Sequence, residues 1–409
     1  MFEELRDYQD DPIEAMFLRL AGDRHPDKID LGIGVFRDRH GRAPVMQAVR
    51  EAERRLVERE LPKSYLSPLG NPAYCDDMER LVFGDGHPVR SDGRLVSAQT
   101  PGAGSALRVG AELVRVLSPG SAVWVSEPVW THQIEFFEAA GLGIRRYRYY
   151  DQQHSRLDFA GMLDDLATMQ PGDIFLLHGC CHNPTGQDLD ADEWQALTEL
   201  VNETGAMPFI DIAYQGFGAG IEEDVAGLRR MAAQVPQMLL AASSSKSFGI
   251  YRERAGLLSV IVPPGDCDAH GVRRMLRDTV RRLYFMAPDH GAAVVHEILS
   301  TPELREMWRS ELDTIRQRIV KMRSAFRKTL EAGNPGFDGS FIETQRGMFS
   351  CLPITPDEQL AMERQFHIYM LPPARANVAA MNERQAAIVT DAFAAIMAER
   401  ASGTQRASA

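Results

Sequence analysis

GDIFLLHGCCHNPTG (172–186), MPFIDIAYQGF (207–217) and MLLAASSSKSFG (238–249) decide the architecture. Each opens on a short apolar run of strand length and ends in turn residues, the pattern of a strand buried on both faces. SAVWVS (121–126) and GLLSVIV (256–262) have the same character, and helical patterns over 104–117, 130–140 and 189–204 lie between the runs. Alternation of this kind predicts an α/β fold with a mostly parallel sheet covered by helices on both faces. Ligands of such sheets bind beyond the carboxyl ends of the strands. The polar residues of the three quoted stretches fall there.

Outward from this centre, residues 301–333 carry a long charged helical pattern around LREMWRSELDTIRQRIVKMRSAFRKTL, followed by a shorter α+β stretch. A domain change is expected near 315, giving a large domain over 41–315 and a small one over 316–409. Residues 1–40 are expected to be irregular and to pack with the small domain. The closing ASGTQRASA is expected to fray. Two domains also suit 409 residues of ordinary globular composition, 44% hydrophobic and 25% charged. A net charge of −12 argues against nucleic-acid partners. No apolar run is long enough for a membrane span. The acidic start, MFEELRDYQDDP, lacks a signal-peptide core. Cys75, Cys180, Cys181, Cys267 and Cys351 are scattered and odd in number, which fits a reducing cytoplasm and not a disulfide framework.

Lys246, directly after an apolar strand, is the first candidate for chemistry. In an apolar pocket a lysine loses proton affinity and becomes a usable amine. Ser243, Ser245 and the glycine that follows offer donors to a phosphate. By itself, a loop lysine is more often a solvated surface residue. Asp211 lies inside an apolar strand and needs a cationic partner, such as the protonated pyridine of pyridoxal phosphate (PLP). A structural salt bridge or a helix cap would serve it equally. Tyr214 follows where that strand should end. Asn183-Pro184-Thr185-Gly186 is a rigid turn that presents the Asn183 amide. Adjacent Cys180 and Cys181 lack C-x-x-C spacing, so no metal site is expected. TPGAGSALRVG (100–110) offers a helix start suited to an anion. It lacks the third glycine, a clear preceding strand and a ribose-binding acid, so a dinucleotide site is not expected. Arg254, Arg281 and Arg375 are candidates for two-pronged binding of phosphate or carboxylate, although a lone arginine is commonly a surface ion pair.

Taken in order, HGCCHNPTG, DIAYQGF, SSSKSFGIYRERAG and RANVAAM resemble the class I aspartate and aromatic amino-acid aminotransferases, from DKIDLGIGVFRD (27–38) to the last helix. The resemblance implies a fold-type-I PLP transferase. Its large α/β/α domain would hold a mostly parallel seven-stranded sheet, beside a smaller α+β domain. A homodimer with shared active sites is the family norm. Lys246 matches the Schiff-base lysine that also moves the substrate proton, and Asp211 matches the partner of the pyridine nitrogen. Tyr214 and Asn183 match groups bonding the ring hydroxyl, and Trp130 matches the aromatic stacked on the ring. Ser243, Ser245 and Arg254 match phosphate ligands, together with the loop at Ala103, Gly104 and Ser105. Tyr65 matches a phosphate contact from the other subunit. Arg375 matches the clamp on the α-carboxylate, with Gly34 nearby, and Arg281 matches an arginine that binds a distal carboxylate across the interface.

Three departures from the family pattern stand out. Relatives tend to have glycine, then Thr or Ser, then glycine in the phosphate loop, whereas the hydroxyl here has moved to Ser105. Gln133 stands where many relatives have a histidine supporting the ring-binding aspartate, with His132 and His178 as possible substitutes. Leu283-Tyr284-Phe285-Met286 replaces a more polar run after Arg281, which points to an apolar substrate side chain. The expected activity is ping-pong transamination between an L-amino acid, preferably aromatic, and 2-oxoglutarate, giving a 2-oxo acid and L-glutamate. The alternatives are an aspartate aminotransferase or a non-catalytic PLP-fold binding module.

Overall fold

The computed structural model describes residues 11–60, 62–265 and 268–407. Seven strands form one sheet: β1 (Leu95–Thr100), β2 (Ala122–Glu127), β3 (Gly143–Arg148), β4 (Ile174–His178), β5 (Met207–Ile212), β6 (Met238–Ser243) and β7 (Gly256–Ile261). Their order across the sheet is β1-β7-β6-β5-β4-β2-β3. β7 runs antiparallel to both neighbours, and the other pairs are parallel. The fold class is therefore as expected.

Two of the strands escape the apolar-run criterion, for different reasons. β1, LVSAQT, carries Ser97, Gln99 and Thr100, yet all three are buried. Ser97 shares a hydrogen bond with Ser259 at 2.8 Å, and the Gln99 amide donates to the Pro288 carbonyl at 2.8 Å. Internal partners let polar side chains occupy a buried strand. A strand thus does precede TPGAG, contrary to expectation. β3, GIRRYR, is an edge strand whose arginines are mainly exposed, with Tyr147 its one buried side chain.

Helices α1 (Pro12–Gly22), α2 (Gly102–Leu117), α3 (Thr131–Glu138), α4 (Pro302–Gly333) and α5 (Glu383–Ala407) matter most for the site. The expectation that residues 1–40 are irregular is corrected by α1. Its start follows ordinary capping chemistry, since the Asp11 carboxylate accepts from the Ile13 and Glu14 amides and proline opens the helix. Beyond α1, Ile29 and Asp30 pair in parallel with Ile368 and Tyr369, which ties the start of the chain to its end. The expected frayed tail is also corrected, because α5 continues to Ala407. MFEELRDYQD (1–10) and Cys267 lie outside the described residues.

α4 spans 32 residues, about 48 Å at 1.5 Å per residue. Its Leu304, Trp308, Leu312 and Ile319 pack into the core on one face of the sheet. Met322, Phe326 and Leu330, further along, join a separate core with Ile368, Met370 and Phe393. One unbroken helix therefore serves both cores. Among the described residues, no helix is long and apolar enough to cross a membrane.

Close backbone approach brings the first turn of α2 to the strand ends. A Cβ on Gly256 would lie 2.5 Å from the Gly102 carbonyl carbon and 2.9 Å from the Ala242 oxygen. Backbone cannot move aside as a flexible side chain can. Gly256→Ala is expected to lower stability by about 1–3 kcal/mol, the scale of overpacking. Chemical denaturation monitored by circular dichroism measures this, and an unchanged midpoint would contradict the close approach.

Candidate active site

A cavity of about 300 Å³ lies beyond the carboxyl ends of the strands, where α2, the β4–β6 ends and residues 32–34 converge. Its walls include Gly34, Ala103, Gly104, Trp130, Asn183, Asp211, Tyr214, Ser243, Ser245, Lys246, Arg254 and Arg375. Twelve of the fifteen residues given a site role by the family resemblance thus meet in one place.

Lys246 follows β6 on a loop that is held from below. Trp308 donates its indole N–H to the Ser247 carbonyl at 2.8 Å and stacks on Phe248 at 4.7 Å. The Ser247 hydroxyl donates to the Gln215 carbonyl at 2.7 Å. The Lys246 ammonium sits 5.1 Å from the centre of the Tyr214 ring. Burial lowers its pKa to about 8; Asp211 opposes the shift, while Arg254 and Arg375 add to it.

Asp211 is on β5 beside His178 of β4. Gln133 donates from its amide nitrogen to Asp211 Oδ2 at 2.6 Å and lies 3.1 Å from His178 Nε2. His178 itself stands 3.9 Å from the carboxylate. Gln133 therefore contacts the aspartate directly, and His178 is one step removed. His132 points elsewhere, towards Glu135 at 3.0 Å and Asp11 at 3.7 Å at the cavity mouth. An amide that donates to His178 Nε2 requires a lone pair there, so the imidazole is neutral with its proton on Nδ1. Burial and the nearby Lys246 hold the His178 pKa down at about 4. Burial raises the Asp211 pKa to about 6, against the Gln133 hydrogen bond and the Lys246 charge. Asp211 Oδ1 is buried and has no hydrogen-bond partner among the described residues. An orphaned carboxylate oxygen facing a cavity calls for a cationic donor from a ligand.

Arg254 donates to the Ser245 hydroxyl at 3.1 Å, and its backbone is left-handed at φ 54°. The guanidinium passes over Gly102, where a Cβ would come within 2.4 Å of its Nη2. With the free N–H groups at the start of α2, these residues form an anion cradle. Ser105 does not share in it through its side chain. Its hydroxyl bonds back to the Pro101 carbonyl at 3.2 Å and lines no part of the cavity. One helical step from Gly104 turns it away.

Arg375 is buried and lies 4.1 Å over the Phe349 ring. It donates to Asn183 Oδ1 at 2.8 Å and to the Gly32 carbonyl at 2.5 Å, while its Nε has no hydrogen-bond partner among the described residues. Burial lowers its pKa. A buried cation whose hydrogen bonds among the described residues go to neutral oxygens is suited to a carboxylate. Gly34 fits closely against Phe349, whose Cζ would sit 3.0 Å from an added Cβ.

Tyr65 and Arg281 lie outside this cavity; Tyr65 is 83% exposed and Arg281 is exposed too. Leu283 and Phe285 are also exposed and form no wall of it. Its apolar walls come instead from Ile13, Phe17, Ile33, Phe349 and Leu371. The four-residue spacing of Ile13 and Phe17 is a helical signal in the sequence, and α1 brings both to the cavity. The sulfurs of Cys180 and Cys181 do approach the Asp224 carboxylate. That carboxylate is already bonded to the amides of Gly216, Gly218, Ala219 and Gly220, which it holds in a turn.

The profile of the aminotransferase class I and II family matches residues 26–393. An aspartate aminotransferase of Salmonella typhi is 41% identical, over 97% of this chain and all of the relative. An aromatic-amino-acid aminotransferase of Paracoccus denitrificans is 39% identical, over 96% of this chain and 99% of the relative. The solved structure of an aromatic-amino-acid aminotransferase from Burkholderia pseudomallei, covalently bound to pyridoxal phosphate, superposes with a TM-score of 0.93. It is 39% identical, covering 97% of this chain and 99% of that one.

The electrostatics set a measurable expectation for the protein without cofactor. The Lys246 amine is expected to react with an acylating reagent along a titration curve centred near pH 8, since burial favours its neutral form. Asp211→Asn removes the charge that favours the ammonium, so the midpoint moves lower still. Peptide mapping of labelled protein across pH checks both. A midpoint near the ordinary lysine value would show that the amine is solvated.

Proposed function

The chain belongs to the class I and II aminotransferases and uses PLP as its cofactor, and from that membership we propose how its residues divide the work and which substrates they favour. The unpartnered Asp211 Oδ1 carries the assignment, because the protonated ring nitrogen of PLP is a donor of the kind it lacks. The α2 amides, Ser243, Ser245 and Arg254 hold the phosphate. Asn183 and Tyr214 bond the ring oxygen, and Trp130 covers the ring. Asn183 is suited to this role because its carbonyl is taken by Arg375, leaving the NH₂ to donate.

When bound, PLP supplies an electron-poor ring that stabilises the charge left on the substrate carbon as its proton departs. Lys246 would hold the cofactor through its amine, and the same amine is placed to accept that proton and return it. With a pKa near 8 its amine is partly neutral around neutral pH, as a general base requires. Arg375 takes the α-carboxylate in a two-pronged manner, which orients the Cα–H bond towards Lys246. Ile13, Phe17, Ile33 and Leu371 shield the mouth and offer apolar surface to the side chain. Burial against them is worth roughly 25 cal/mol per Å². We therefore assign aromatic amino acids as preferred donors and 2-oxoglutarate as acceptor.

Tyr65 and Arg281 act across a homodimer in this proposal, which their exposure and distance from their own cavity support. Arg281 would hold the distal carboxylate of a dicarboxylic substrate. That role, with the aspartate aminotransferase relative at 41% identity, favours aspartate as the second candidate donor. The domain division at 41–315 and 316–409 is supported by the change of core along α4, with residues 1–40 packing on the smaller part. Free thiols at Cys75, Cys180, Cys181 and Cys351 support a cytoplasmic location.

A donor panel with 2-oxoglutarate and detection of the 2-oxo acid tests the assignment. Phenylalanine, tyrosine or tryptophan is expected to exceed aspartate by about tenfold in kcat/KM, within the range of a modest apolar contact. Equal or faster turnover of aspartate rejects the aromatic preference. Lys246→Ala is expected to reduce turnover by at least about 10²–10⁴-fold, the usual loss with a general base. PLP binding without turnover of any donor would instead identify a binding module.

A further inference from the structure

Phe136 has no place in the assignment above, yet it touches two parts of the site. It is half-buried on the last turn of α3, the helix that begins just after Trp130. Its ring meets the Trp130 indole edge-on, with centroids 6.1 Å apart and planes at 70°. The far end of the same ring rests on the first turn of α2. A Cβ built on Gly104 would come 2.9 Å from Phe136 Cζ and 3.2 Å from Cε2. Any side chain at 104 would therefore contest the space the ring fills. Arg108 ties the two helices at the same point, donating to the Phe136 carbonyl at 3.3 Å. His132 meets the Trp130 rings edge-on with centroids 5.4 Å apart, so the indole is flanked by two aromatic neighbours.

We propose that Phe136 is a positioning residue for Trp130: seated on the bare Cα of Gly104, it braces the indole over the cofactor cavity and couples it to the phosphate cradle. Glycine at 104 is what admits the ring. This explains in physical terms why the phosphate loop carries no side chain at that position. The phosphate is left to backbone amides, Ser243, Ser245 and Arg254, and aromatic packing holds the cover in place. The inference rests on reading Trp130 as the cover of the cofactor.

Two cycles of variants test it, one without cofactor. In the apoenzyme, Gly104→Ala forces a methyl group against the ring and is expected to lower the melting temperature by about 2–4 °C. In a Phe136→Ala background the same change is expected to have no such cost, because the seat is empty. Equal losses in both backgrounds would overturn the proposed seat. In equilibrium dialysis, Phe136→Ala is expected to weaken PLP about three- to tenfold, the scale of one aromatic pair. At saturating PLP its kcat should stay near wild type, since binding is lost and not chemistry. Phe136→Leu, which still fills the seat, should recover part of the affinity. If Phe136→Ala weakens PLP equally in a Trp130→Ala background, the ring does not act through the indole and the brace is refuted. If Trp130→Ala alone leaves PLP affinity unchanged, it is the reading of Trp130 as cover that fails, and the apoenzyme cycle still decides the seat.

Discussion

A carboxylate buried with one oxygen unpartnered is the constraint on which the site depends. With no partner for Oδ1 among the described residues, Asp211 at the end of a central strand carries a desolvation cost that a donor from a bound cofactor would offset. Its neighbours are arranged around that carboxylate. Gln133 fixes the other oxygen, a neutral His178 backs Gln133, and the Lys246 charge favours the ionised carboxylate. Gln133 bonds the aspartate without adding a charge of its own. The burial that raises the Asp211 pKa also lowers that of Lys246, so one apolar floor tunes both groups in opposite directions.

The sheet makes that floor possible. Parallel pairing places Asp211 level with His178, and the three strands β4, β5 and β6 deliver Asn183, Tyr214 and Lys246 from loops on the same side. α2 then brings its amide-bearing end within van der Waals reach of β7, where Gly256 leaves room for the Gly102 backbone, and Gly102 in turn leaves room for the Arg254 guanidinium. The anion cradle and the ring partner are consequently fixed to one rigid frame. Arg375 comes from the other core and crosses to Asn183, so carboxylate recognition is coupled to the packing between the two parts of the chain.

The residues most legible in the sequence were those whose chemistry contradicts their surroundings. Asp211 in an apolar strand, Lys246 after one, and Asn183 in a proline-locked turn are anomalies that a local reading detects. Residues whose roles depend on direction were less legible. Ser105 looked like a displaced phosphate ligand, but one helical step turned its hydroxyl back to Pro101. His132 and Gln133 were equivalent as neighbours in sequence, and only the rotation of α3 sent Gln133 inward and His132 to the mouth. The apolar run at Leu283–Met286 suggested a substrate wall, whereas the walls of this protomer's cavity come from Ile13, Phe17, Ile33 and Leu371.

By itself, the sequence determined the alternation of buried strands and helices, and it placed a lysine, an aspartate and an asparagine at the strand ends. Those features follow from local periodicity and from the cost of burying polar groups, which neighbouring residues express directly. Tertiary structure decided which side chains share the cavity. Ile29 pairs with Ile368, Arg375 reaches Gly32, and Phe136 settles on Gly104 through contacts that no local pattern encodes. Helix rotation and backbone approach are set by packing across the whole molecule, so the partner of each residue emerges only when distant segments compete for the same space.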